Sequence, residues 1–201
     1  FGMKKKVIVA SHNSGKVREI KSLLKPYSFT IQSASDLKIK EPRETGKNFI
    51  ENAILKAKFV SKKSGCIALA DDSGLCINLL NGEPGIRSAR WAGKDKDFKL
   101  AIKKIEKKLI KIDPNSNIKY RSHFCCALAL SFPNGQTISF QGKVYGQLQF
   151  PAKGLNGFGY DPIFVPNGYK KTFGEMNYSY KERISHRQKA FKKLKKYLLK
   201  I

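Results

Sequence analysis

VIVASHNSGKVREI, residues 7–20, leaves an apolar run through Ser, Asn and Gly and enters a pattern of helical period. Val17, Ile20, Leu23 and Leu24 share one helical face, and Pro26 follows soon after the end. A strand feeding a helix through a polar turn is the unit of an α/β chain. The turn ends in Gly15-Lys16, which raises the question of a Walker A loop. That loop needs G-x-x-x-x-G-K-[ST], and here Ala10 takes the first glycine position and Val17 the metal-binding hydroxyl. Both losses fall on residues with physical work to do, so the loop is not a Walker A. It still offers backbone N–H groups and the positive end of a helix dipole, an arrangement that binds anions. Lys16 in the first turn opposes that dipole unless an anion answers it. Alternatively Ser11, Asn13 or Ser14 simply caps the helix.

Working outward, a buried strand is expected over residues 4–10. A second amphipathic helix carries Phe49, Ala53, Ala57 and Val60 and closes at Ser64-Gly65. A short strand follows from Cys66 to Ala70, then a turn DDSG, then a strand from Leu75 to Leu80 and a turn at Asn81-Gly82. Phe98, Ile102, Ile105 and Leu109 mark a third helix, ended by Asp113-Pro114-Asn115. Strands Ser122–Phe132 and Gln136–Val144 flank the turn Pro133-Asn134-Gly135. A last helix is expected from about Ser185 to Ile201. Helices alternating with strands and a meander give an α/β chain with a mixed sheet.

The net charge of +25 over 201 residues suggests a polyanionic partner or a lysine-biased solvated surface. Lysine dominates, with 33 Lys against 7 Arg. Base-edge readout favours the arginine fork, and aromatics are not interleaved with the basic runs, so specific nucleic-acid binding is not expected. A phosphate-bearing small molecule satisfies the charge equally well. No apolar run is long enough to span a bilayer, and the start at Lys4–Lys6 does not read as a signal peptide. Phe1-Gly2 ahead of Met3 read as an expression remnant, leaving 3–201 as one domain. The four cysteines, Cys66, Cys76, Cys125 and Cys126, form no C-x-x-C and read as reduced core thiols of a cytoplasmic protein. His123 lacks the Glu and P-C-x-x-C of a zinc deaminase.

Further polar, Gly-rich stretches carry candidate chemistry. In ADDSG, adjacent carboxylates Asp71 and Asp72 repel, and a fold that keeps both supplies a cation; such pairs hold Mg²⁺ and take protons from water. In GFGYDPIF, the glycines leave the rings of Phe158 and Tyr160 little cover, which suits stacking on a planar ligand. SHRQKA opens the last helix with His186 and Arg187. A phosphate-gripping turn, a carboxylate pair and an aromatic face together describe a nucleotide site.

SHNSGKVREI, ETGKNFIENAILKAK, ADDSGL, GEPGIRSARWAG, GFGYDPIF and ISHRQKA occur in this order across residues 7–190. In that order they resemble the inosine triphosphate pyrophosphatase family, whose members hydrolyse non-standard purine nucleoside triphosphates (ITP, dITP, XTP) to the monophosphate and pyrophosphate. The resemblance implies an elongated mixed β-sheet with flanking helices, forming two lobes around a central active-site cleft, and a homodimer. It implies Mg²⁺ as cofactor, with Glu44 and Asp72 as its ligands. Ser11, His12, Asn13, Ser14, Gly15 and Lys16 would grip the triphosphate. Asp72 would accept the proton, with Lys16 and Asp71 beside it in catalysis, and Ser73 would touch substrate. Phe158, Gly159, Tyr160 and Asp161 would bind the base, with Lys181, His186 and Arg187 as donors to its 6-oxo group. Ser11-His12 and Trp91 depart from the commoner family residues. The alternatives are a Maf-like pyrophosphatase preferring pyrimidine or modified nucleotides, against which GFGYDPIF and SHR speak; a nucleic-acid-binding protein, which leaves Glu44, Asp71 and Asp72 without a purpose; and a catalytically dead nucleotide sensor, which would need a lost acid or lysine where none is missing.

Overall fold

The computed structural model describes residues 5–115 and 119–201. β1 (Lys6–Ala10) delivers the chain to α1 (Ser14–Leu24), as the opening stretch implies. Of the strand expected over 4–10, residue 4 lies outside the described residues, as do Phe1, Gly2 and Met3. Val7, Ile8 and Val9 are all buried, which a strand with parallel neighbours on both sides requires. Those neighbours are β2 (Thr30–Ser33) and β3 (Ile67–Ile77). With β4 (Arg121–Ser131), β5 (Thr137–Leu148) and β6 (Phe164–Pro166), the strand order is β2-β1-β3-β4-β5-β6. β6 lies antiparallel on β5, so the sheet is mixed.

The helices begin and end where local chemistry directs. Asn48 caps α2 (Phe49–Ser64) by accepting from the Glu51 N–H, and Gly65, at φ 67°, ends it in the left-handed region. Beyond the four-residue α3 (Ser88–Trp91), Asp97 caps α4 (Phe98–Ile112) by accepting from the Leu100 N–H. Asn177 caps α5 (Tyr178–Ile184), and α6 (His186–Leu198) follows. No helix among the described residues is long and apolar enough to cross a membrane.

The chain divides into two units, each with its own core. The first comprises residues up to Asp72 with Cys126–Gly142 and Arg187–Ile201; Val7, Ile20, Leu69, Leu128 and Leu194 are buried at its centre. The second comprises Ser73–Cys125 with Lys143–His186; Leu75, Ile105, Phe124, Phe164 and Phe173 pack together there.

The expected turn at DDSG is a correction. β3 runs unbroken through Ala70–Gly74, and the expected strand to Leu80 instead ends at Ile77 in a 3-10 turn over Asn78–Leu80. Two carboxylates continue a buried strand because cations meet them there. Gly74 is needed for approach rather than for turning: a Cβ on it would stand 2.4 Å from the Gly85 carbonyl oxygen and 2.4 Å from Ser88 Oγ.

Candidate active site

In the first unit, the loop after β1 is built by its own side chains. Asn13 caps α1, its Oδ1 accepting from the Lys16 N–H at 3.0 Å, and Ser11 Oγ accepts from the Asn13 N–H at 3.1 Å. His12 donates through Nε2 to the Ile39 carbonyl at 2.7 Å, which tethers the loop and gives that unexpected imidazole a purpose. The first turn of α1 contains no acidic residue, so its N-terminal dipole is unanswered from within. Ser14 is exposed, and Gly15 and Lys16 are half-buried.

Asp71 is wholly buried among cations and a thiol. Lys16 Nζ stands 3.0 Å from Oδ1, Arg187 Nε donates to Oδ2 at 2.7 Å, and the Cys126 thiol donates to Oδ2 at 3.0 Å. Arg187, 1% exposed, also pairs through Nη1 with Glu19 of α1. Burial pushes the Asp71 carboxyl up, but the Arg187 and Lys16 charges outweigh it and hold the group well below the usual carboxylate range. Asp71 is therefore a fixed anion.

Asp72 is the opposite case. Its Oδ1 lies 3.5 Å from Lys56 Nζ, while its Oδ2 is buried without a hydrogen-bond partner. Burial, aided by the Glu44 and Asp71 charges, raises its pKa to about 6 against the pull of Lys56 and Lys16. Lys56, on α2, sits between two carboxylates, with Glu44 Oε1 at 2.8 Å on its other side. Burial lowers the ammonium's pKa, but Asp72 and Glu44 outweigh burial and keep it charged. The Glu44 loop is pinned to the same helix, because the Gly46 N–H donates to Asn52 Oδ1 at 2.8 Å. Lys56, Glu19 and Cys126 escape a reading by motif. The signal for the first two is a charged residue on the apolar stripe of a helix, beside Ala53 and Val60 for Lys56 and beside Leu23 for Glu19.

In the second unit, Lys181 of α5 and Asp161 form a buried pair, Nζ to Oδ2 at 2.6 Å. The same Oδ2 accepts from the Phe158 N–H at 2.9 Å, and Lys181 Nζ stands 4.7 Å from the centre of the Phe158 ring. Phe158, Asp161 and Lys181 are thus brought together, with Phe158 half-buried. His186 stacks on Phe124, centroids 4.8 Å apart and 12° from parallel. Ser73, half-buried, opens this unit within β3. The expectation that Tyr160 offers an uncovered ring is corrected: it is 3% exposed, packs edge-on to Phe98 and donates its hydroxyl to the Ser88 carbonyl at 2.7 Å. The glycines beside it serve backbone shape. Gly157 and Gly159 have φ of 73° and 64°.

Gly157 also makes room for the carboxylate, since a Cβ there would lie 2.0 Å from Asp161 Oδ2. Gly157→Ala is expected to cost about 1–3 kcal/mol through left-handed strain, and to push Asp161 off Lys181 and the Phe158 N–H. Steady-state kinetics should show KM rising about tenfold or more with kcat changing less.

A sequence model of the Ham1 family matches residues 7–197. A dITP/XTP pyrophosphatase of Caulobacter vibrioides is 50% identical over 190 residues, covering 94% of this chain and 96% of that protein. One from Zymomonas mobilis is 47% identical over 189 residues, covering 94% and 90%. Among solved structures, a HAM1 protein from Coxiella burnetii superposes with a TM-score of 0.87 at 35% identity, covering 98% of this chain and 100% of that one.

Proposed function

The chain belongs to the Ham1 family, and on that premise we propose that it hydrolyses non-standard purine nucleoside triphosphates (ITP, dITP, XTP) to the monophosphate and pyrophosphate, cleansing the nucleotide pool. Asp72 is the observation that carries this reading: a buried carboxylate, one oxygen unpartnered, with a pKa of about 6, beside Lys56 and Glu44.

That donor set fits Mg²⁺. Carboxylate oxygens are hard ligands, and Mg²⁺ commonly takes one or two of them, with water and substrate phosphates completing its shell. Glu44 and Asp72 are the residues that would hold it. Bound there, the metal would neutralise charge on the phosphates as it builds.

The residues Ser11 to Lys16 take the triphosphate, using the N–H groups at the start of α1 and the Lys16 ammonium. Asp71, itself held by Arg187, fixes that ammonium in place. Asp72, ionised, accepts a proton from the attacking water. The water oxygen bonds to the α-phosphorus, the bond from that phosphorus to its bridging oxygen breaks, and pyrophosphate leaves. Phe158 stacks on the purine, and Lys181 and His186 donate to the 6-oxo group of inosine or xanthosine. Adenine presents an amino donor there, and leaving such groups unpaired costs about 1–3 kcal/mol each. A homodimer and a cytoplasmic location belong to the same proposal; the four free thiols, three of them buried, suit a reducing compartment.

Phosphorus NMR of ITP turnover tests the reaction. IMP and pyrophosphate are expected, with both lost on adding EDTA. Release of IDP and orthophosphate would overturn the proposal.

A further inference from the structure

A second polar pocket lies wholly within the second unit, about 490 Å³ in volume, a size typical of small-molecule sites. Lys119, just ahead of β4, and Arg121 and Ser122 at its start line it, and Asn78, Gln147 and Asn167 add carboxamides. Among the described residues no carboxylate lines it, and neither cation is ion-paired. Ser122 is 2% exposed, and its hydroxyl is buried without a hydrogen-bond partner. None of these residues belongs to the constellations assigned above. Two unanswered cations create a positive potential that solvent only partly screens, and an arginine fork beside an ammonium matches the tetrahedral oxygens of a phosphate. The carboxamides and the Ser122 hydroxyl supply neutral donors, as a phosphate ester needs around its remaining oxygens.

We infer that this pocket is a second binding site, for a phosphate-class anion no larger than a nucleoside monophosphate. Both reaction products carry that chemistry, so the ligand is either free pyrophosphate or the phosphate of a monophosphate. The inference does not rest on the assignment of the Ser11–Lys16 loop.

Isothermal titration of the whole protein with pyrophosphate, with IMP and with orthophosphate separates the cases. At least one of these ligands is expected to bind in two events. Lys16→Gln should weaken one event, and the double change Lys119→Gln with Arg121→Gln should weaken the other at least tenfold. The double variant should keep its thermal unfolding midpoint and its turnover of dilute ITP. Ser122→Ala should weaken the second event less than the double change does. Whichever ligand shows the second event identifies the source. A single event that responds only to Lys16→Gln, or a second event indifferent to the double change, would overturn the inference. Unchanged turnover in Lys16→Gln would instead count against the proposed phosphate grip and leave this pocket standing.

Discussion

Asp72→Asn is expected to lower kcat for ITP by about 10³-fold, within the range for losing a positioned general base, while KM changes little. The side chain keeps its shape, so the Ser11–Lys16 loop and the Asp71 ion pairs stay in place. What is lost is the ability to take a proton and to hold a hard cation. A merely structural role would give the opposite pattern. The wild-type carboxylate is buried with an oxygen that finds no hydrogen-bond partner, so the substrate-free Asn variant should hold or gain thermal stability at neutral pH. Loss of activity with stability kept is therefore the expected signature, read from steady-state kinetics beside thermal unfolding. Equal falls in both would reduce Asp72 to a folding element.

Arg187→Ala should give the largest loss of stability. The guanidinium is buried and answers two buried carboxylates, Asp71 and Glu19. Its removal takes a buried cation from both, and breaking a buried pair of this kind costs about 3–5 kcal/mol. For a chain of this size that is a fall in Tm of roughly 10 °C. Arg187→Lys should recover only part of it, because one ammonium cannot reproduce the directed Nε and Nη1 contacts. If Arg187 instead serves chiefly as a donor to the base, the alanine variant would keep its Tm and lose preference for ITP over ATP.

These residues also show how far the sequence could be read. The β1–loop–α1 unit was legible because the apolar run, the capping Asn13 and the helical period of Ile20, Leu23 and Leu24 agree with one another. α4 was legible for the same reason, from Phe98 through Leu109. ADDSG misled because two acids and a glycine carry the composition of a turn. Nothing local announces that Lys16 and Arg187, 55 residues before and 116 residues after Asp71, will neutralise a strand there. β2 and β6 are four and three residues long, too short for a period to declare itself. The resemblance of the six motifs already gave the two acids different roles, and burial and distances add how their surroundings differ. Asp71 meets Lys16, Arg187 and the Cys126 thiol, whereas Asp72 retains an unpartnered oxygen.

This site is expected to release pyrophosphate from 6-oxo purine triphosphates and to discriminate against 6-amino ones. The most direct test is the initial rate of pyrophosphate release from ITP, XTP, ATP, GTP and dTTP, each with Mg²⁺ at a concentration well below KM. kcat/KM for ITP and XTP is expected to exceed that for ATP by about 10²-fold or more, as two or more unpaired donors would dictate, with dTTP also poor. Comparable rates for ATP and ITP, or a preference for dTTP, would contradict it.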